Sequence, residues 1–373
     1  MIGLANFQRQ WDSSRDAYLA AVDRVGRSGW LILGKEVSQF EADLAKFWGV
    51  EHAVGVASGL DALEIAFRCL GMKAGDRVLT TPMSAFATTL AIIKVGAVPV
   101  FADLDASGQL DLVQARAVVK AAPAKVRFVV PVHLYGHAMD LDALETFAKE
   151  EGLTVIEDCA QAIGAKSRGR PVGALSRAFA TSFYPTKNLG AFGDGGALLT
   201  NDPAVRDLAR SLRDYGQSDK YVHAHLGLNS RLDELQAALL SIQLSLLPAQ
   251  TQRRLAIAGR YREGLAHSAI RVLPVPPGSQ SVWHLFPVEV EPPLRKSFQR
   301  HLTESSVGSA VHYPTLIPHQ PAMASTAWEP KAAGFARAVQ LAGSEVSLPM
   351  HPFLTDAEVE QVIDACNRWE AKP

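Results

Sequence analysis

Between residues 35 and 202 the chain alternates short β-branched apolar runs with segments whose apolar residues recur at helical spacing. In EVSQFEADLAKFW, Val37, Phe40, Leu44 and Phe47 share one helical face, and HAVGVA follows as a strand. The pattern then predicts a helix at LDALEIAFRCLG, a strand at RVLTTP, a helix at AFATTLAIIKVG, a strand at VPVFADL, a helix near 111–121 and a strand at VRFVVPVHL. LTVIEDCA, FATSFYP and GALLTND bring the strand candidates to seven. Such alternation belongs to the α/β class, with a mostly parallel sheet between helices. Residues Leu228 to Leu265 read as a long helix, apolar at Leu232, Leu235, Leu239, Ile242 and Leu246, with Pro248 placed to kink or break it. The Pro-rich RVLPVPPGSQ marks a change of character, followed by a strand at VWHLFPVEV and a final helix near Asp356 to Glu370. The expected division is a large domain over 1–250 and a smaller α+β C-terminal domain over 251–373, with residues 1–30 free to pack on the smaller one.

Charge and cysteine usage narrow the function. With 37 basic and 38 acidic residues the net charge is -1, which gives no global field toward nucleic acid or an anionic membrane. An anion must therefore be held locally. Cys69, Cys159 and Cys366 are widely spaced and form no C-x-x-C pair, so neither a disulfide framework nor a metal knuckle is expected, and a reducing cytoplasm fits. MIGLANFQRQWDSSRDAY turns polar after four residues and does not read as a secretory signal. The longest apolar stretch, Ala85 to Leu104, is broken by Lys94, Gly96 and Pro99, so it reads as helix, turn and strand and not as a membrane span.

In open α/β sheets ligands collect at the carboxyl ends of the strands, which directs attention to polar residues that close apolar runs. Asp158 ends LTVIED, Ser182 ends AFATS, and Ser58 and Gly59 end HAVGVAS just before a helix. Lys187 lies in SFYPTKNLGAFGDGG, a single cation among Phe183, Tyr184, Leu189 and Phe192. A loop lysine is ordinarily a solvated surface residue. Burial in so apolar a setting would lower its pKa, as an imine-forming amine requires. Asp158, 29 residues earlier on a strand that reads as buried, needs a cationic or hydrogen-bonding partner. The turn Ser58-Gly59-Leu60-Asp61 either caps its helix in the ordinary way or receives a phosphate on free N–H groups, with the Ser182 hydroxyl available to help. Phe86, at a helix start, could lie on a flat ring or simply belong to the core.

Together these segments resemble the nucleotide-sugar aminotransferases of the DegT type, enzymes of pyridoxal 5'-phosphate (PLP) fold type I. The resemblance runs from about Gly29 to Val362 and is most specific in EDCAQAIGAKSRGRPVGALSRAFATSFYPTKNLGAFGDGGALLTND. GWLILGKEVSQFEADLAKFWGVEHAVGVASGLDAL, PVHLYGHAMDLDAL, LNSRLDELQAALL, VWHLFPVEV and HYPTLIPHQPAM extend it. It implies that Lys187 carries PLP as a Schiff base, that Asp158 contacts the pyridine nitrogen, and that Gln161 lies near the ring hydroxyl. By the same resemblance Ser182 and the backbone at Gly59 and Leu60, beside Ser58, hold the phosphate, and Phe86 stacks on the ring. Asn229 matches a position that reaches the phosphate of the second subunit's cofactor, so a homodimer with shared active sites is implied.

The implied reaction passes an amino group from an amino acid, L-glutamate by expectation, to a keto sugar nucleotide, with pyridoxamine 5'-phosphate as the intermediate cofactor form and Lys187 as acid and base. Leu60 replaces the threonine of many relatives, which removes a hydroxyl from the phosphate turn. Leucine there, with HLYG and LRDYGQSDKY, resembles the branch acting on dTDP-3-keto-6-deoxyhexoses. HLYG also occurs in some 4-keto enzymes, so that alternative stays open. Lysine at 187 sets the chain apart from relatives that dehydrate sugars and carry histidine there. A cysteine desulfurase would need a cysteine in a polar mobile loop, and a non-catalytic PLP-binding regulator a basic DNA-contacting element; neither is seen in the sequence. Tyr184, His133, His284, His312 and Tyr313 are candidates to line the sugar pocket, Lys220 and Tyr221 to approach the substrate diphosphate, and Arg231 to hold the donor carboxylate. An ion pair on a helix face is an equal reading of Arg231, and core or surface packing of the others.

Overall fold

The computed structural model describes residues 1–330 and 334–372. Helix α1 (Phe7–Ser28) precedes α2 (Lys35–Trp48), which buries Val37, Phe40 and Leu44 and leaves Phe47 partly exposed. Burial of Phe40 and Leu44 is worth roughly 2 kcal/mol each, enough to hold α2 against the sheet. Gly49, at φ 77, ends the helix in the left-handed conformation that favours glycine.

Strands β1 (His52–Val56), β2 (Arg77–Thr80), β3 (Val98–Phe101), β4 (Val126–Val129), β5 (Thr154–Val155), β6 (Phe179–Ser182) and β7 (Gly196–Thr200) match the seven expected runs, most of them trimmed at the ends. Parallel pairing gives β3-β2-β4-β5, and the bridges Val132 to Asp158 and Asp158 to Ala180 carry the parallel sheet on to β6. Antiparallel pairs of β6 with β7 and β7 with β1 complete it, so β7 alone runs against the rest. Helices α3 (Gly59–Cys69) and α4 (Phe86–Lys94) connect the early strands, and their apolar faces are buried against them. Ala85 to Leu104 is thereby helix, turn and strand, and among the described residues no helix is long and apolar enough to cross a membrane.

The long helix Glu234–Gly264 begins after LNSRLD and runs unbroken through Pro248, so proline does not end it. Leu240, Leu244 and Leu247 pack with Phe40, Leu44 and Phe183, while Ala238 and Leu239 pack with Tyr18, Ala21 and Val25 of α1. Strands β8 (Phe286–Glu289) and β9 (Glu345–Leu348) pair antiparallel under the C-terminal helix Asp356–Asn367, around Phe286, Phe298, Val346 and Val362. The first residues are tied to this part: Ile2 bridges Val307, and Arg9 donates to Glu358 at 2.6 Å.

Candidate active site

A cavity of about 460 Å³ opens where the carboxyl ends of the parallel strands meet α3, α4 and the Lys187 loop. Asp158 reaches it because its strand alternates sides. The preceding Glu157 points into the protein, where its oxygens accept from Gly173 N (2.7 Å), Leu175 N (3.0 Å), Ser176 Oγ (2.9 Å) and His133 Nε2 (3.1 Å). This buried carboxylate is fully satisfied and locks the strand register that turns Asp158 toward the cavity. Asp158 is 4% exposed; its Oδ2 accepts from Thr88 Oγ1 at 2.7 Å and its Oδ1 from Ala160 N at 3.0 Å. No cation pairs with it in a salt bridge among the described residues, and the Lys187 amine on the same cavity acts on it only through space.

Lys187 stands on the same cavity. Protein surrounds its amine apart from that opening, and the loss of solvation lowers its pKa to about 8, an effect that Asp158 partly opposes. Its N–H donates to Tyr184 O at 2.8 Å, and a Cβ at Gly190 would lie 2.3 Å from Pro185 O, so the loop closes this tightly only with glycine there.

The third component is the start of α3. Ser58 caps it, its Oγ accepting from Asp61 N at 3.1 Å, which is the ordinary capping role. The N–H groups of Gly59 and Leu60 keep no acceptor among the described residues, and both residues line the cavity. A Cβ on Gly59 would lie 2.6 Å from Ser182 Cβ, so glycine lets the Ser182 hydroxyl and the helix start share one small anion cradle. A flat ring with a phosphate at one end, a protonated nitrogen at the other and a carbonyl beside the amine matches this set, so the residues present fit PLP.

Gln161 is buried on the cavity wall, accepting from Tyr135 N at 2.7 Å and donating to Tyr313 Oη at 3.2 Å. Burial pushes the Tyr313 phenol up to about 12. His312 and His284 line the cavity beside it, and burial together with the Lys187 charge lowers His312 to about 4 and His284 well below the usual range. Both imidazoles are therefore neutral near pH 7. His312 is held from behind: its N–H donates to Glu345 Oε2 (2.6 Å), its Nδ1 meets Ser347 Oγ (2.9 Å), and Ser347 donates to Glu345 Oε1 (2.5 Å). Burial raises Glu345 to about 8.

Several expected site residues lie elsewhere. His133 is fully buried, donating from Nε2 to Glu157 and accepting from Met139 N on Nδ1 at 3.2 Å, and it does not line the cavity. Its ring, Glu157 and the Cys159 thiol lie within 4.8 Å of one another, but those hydrogen bonds account for the histidine and the carboxylate. Phe86 sits between two lining residues, Ala85 and Ala87, with its ring partly buried against a cluster that includes Met83, Phe101 and Tyr135. Asn229, Lys220 and Tyr221 are exposed and do not line this chain's cavity. Arg231 pairs with Asp214 at 2.8 Å and lies over the Tyr215 ring at 5.2 Å. Tyr184 lines the cavity mouth and is half-exposed. The sequence reading passed over Thr88, Glu157, Glu345 and Ser347. The Thr88-Thr89 pair of hydroxyls inside the otherwise apolar AFATTLAII carried a local signal without saying which one faces Asp158.

The model for the DegT/DnrJ/EryC1/StrS aminotransferase family matches residues 12–367. The dTDP-3-amino-3,4,6-trideoxy-alpha-D-glucose transaminase of Streptomyces venezuelae is 43% identical over 351 residues, 94% of this chain and 91% of that protein. The dTDP-3-amino-3,6-dideoxy-alpha-D-galactopyranose transaminase of Aneurinibacillus thermoaerophilus is 41% identical over 350 residues, 94% of each. Among solved structures, S. venezuelae DesV in complex with a ketimine intermediate superposes with a TM-score of 0.94 at 40% identity, covering 99% of this chain and 98% of that one.

Proposed function

The chain belongs to the DegT/DnrJ/EryC1/StrS aminotransferase family, and from that premise we propose that it moves the amino group of L-glutamate to the 3-keto carbon of a dTDP-linked 6-deoxyhexose. It is a PLP-dependent sugar-nucleotide aminotransferase. The observation that carries the chemistry is a lysine with a lowered pKa sharing one cavity with a buried, unpaired carboxylate and an open helix start. The preference for carbon 3 and dTDP rests on Leu60 and on relatives whose names carry a 3-amino group and dTDP.

PLP, when bound, supplies an electron sink for the carbon that loses its proton. The chain's own groups do the rest. The carboxylate of Asp158, oriented by Thr88 and the Ala160 N–H, would keep the ring nitrogen protonated. Gly59, Leu60 and Ser182 would hold the phosphate, with the positive end of α3 behind it. Lys187 would move the proton between the donor carbon and the cofactor. At a pKa of about 8, roughly a tenth of the free amine is unprotonated at pH 7, so it can take a proton and return it. Neutral His312 and His284 would offer hydrogen bonds to the sugar without adding charge.

We also read the protein as a homodimer. Trp30, Leu31, Tyr221, Val222 and Leu226 are all more than half exposed, an unusual apolar display, and Asn229 and Lys220 stand near it in sequence without reaching their own cavity. A second copy is the surface they suit.

The test supplies the amine form of the enzyme with 3-keto and 4-keto dTDP-, UDP- and GDP-6-deoxyhexoses and follows amino-sugar formation by mass. Reaction with the dTDP-3-keto sugar alone is expected. Reaction with 4-keto sugars alone would remove the regiochemical assignment, and a monomer by sedimentation would remove the dimer.

A further inference from the structure

A second, much smaller cavity shares Leu4, Ala5, Thr186 and Lys187 with the large one. It holds about 30 Å³ of free space, room for one or two waters or one compact ion. Its walls come from the first residues of the chain, the Lys187 loop, the long helix and the segment after β9, and none of its lining residues is acidic.

The long helix places Arg254 in that wall at 6% exposure. Its hydrogen bonds all leave from Nη1, to the carbonyls of Trp283 (3.1 Å) and Met350 (2.8 Å), and no carboxylate pairs with it among the described residues. Nε and Nη2 remain uncommitted. Burial alone acts on this guanidinium, pulling it down to about 10. Two further nitrogens in the same wall, Gln243 Nε2 and His351 Nδ1, are buried with no hydrogen-bond partner, and both residues are 4% exposed. Burial and the Arg254 charge keep His351 neutral, with its pKa near 4, so it adds no second charge.

A buried cation is normally matched by an acid, and buried donors by acceptors. Here a buried guanidinium with two uncommitted nitrogens lines a small space whose described lining holds no carboxylate, and Lys187 lines it as well. Water could meet the donors but would leave the charge uncompensated. A phosphate or nucleotide is too large. We propose that this cavity is a binding site for one compact monoanion, a halide or a single carboxylate group, held by the uncommitted guanidinium nitrogens of Arg254. Such an ion would tie the N-terminal segment and the Lys187 loop to the long helix.

The test uses holoenzyme in sodium gluconate, whose anion exceeds the cavity, replaced stepwise by sodium bromide or sodium formate at constant ionic strength. The melting temperature should climb and saturate. A response to bromide alone assigns a halide site, and a response to both extends it to carboxylates. Arg254→Gln should flatten the curve. Because that variant could fold poorly, wild-type crystals soaked in bromide give an independent reading, with an anomalous peak expected within hydrogen-bond distance of the guanidinium. No saturable response together with water alone at that position would overturn the proposal, whatever sugar the enzyme aminates.

Discussion

Removing the lysine that the chemistry needs should make the cofactor-free protein more stable. Lys187 stands at about 8 in the folded chain against an ordinary value of 10.5, because burial disfavours its charged form. That gap is worth roughly 3 kcal/mol against the folded state, and access to solvent through the cavity reduces it to roughly 2 kcal/mol. The sign follows from proton counting. Below pH 8 the amine is protonated in both states and the folded state bears the full cost. Between about 8 and 10.5 the unfolded chain holds the proton that the folded chain has released, so wild-type stability rises with pH in that window. Lys187→Met, similar in length and uncharged, removes the cost. Urea unfolding of cofactor-free protein at pH 7 should show the variant ahead by roughly 2 kcal/mol, with most of the lead gone by about pH 10. A variant no more stable than wild type at pH 7, or a lead that does not shrink as pH rises, would refute the reasoning. A stability cost kept at a reactive residue is the usual trade between activity and stability.

Other expectations concern the same cavity. Asp158→Asn should lower kcat by a factor of about 100 or more, and Thr88→Val, which removes one hydrogen bond to that carboxylate, by about 10, both measured by product formation at saturating substrate. Gly59→Ala places a Cβ 2.6 Å from Ser182 Cβ and should weaken PLP binding at least about tenfold in a fluorescence titration; unchanged affinity would move the phosphate elsewhere. Glu345, raised to about 8 by burial, keeps its proton in the folded state while the unfolded chain loses it above about 4.5, so wild-type stability falls as pH climbs between those values. Glu345→Gln should escape that fall, shown by denaturation at pH 5 and pH 8, and equal losses in both proteins would count against it.

The alternation of apolar runs was enough to place seven strands and the helices between them, because a buried face writes its period into the residues that form it. Polar residues closing those runs led to Asp158, Ser182 and the Gly59 turn, since strand ends and helix starts are local events. Lys187 stood out for the same reason, as one cation in an apolar, glycine-rich loop. Only the folded chain showed that Thr88 bonds Asp158, that Glu157 and His133 satisfy each other deep in the protein, and that Glu345 and Ser347 hold His312 from another sheet. Pairings of that kind depend on which elements lie side by side, and a side chain separated by 70 or 24 residues from its partner leaves no period in the sequence. The same holds for Arg254, whose helix pattern is ordinary and whose lack of a paired carboxylate becomes visible only when three distant segments close around its helix.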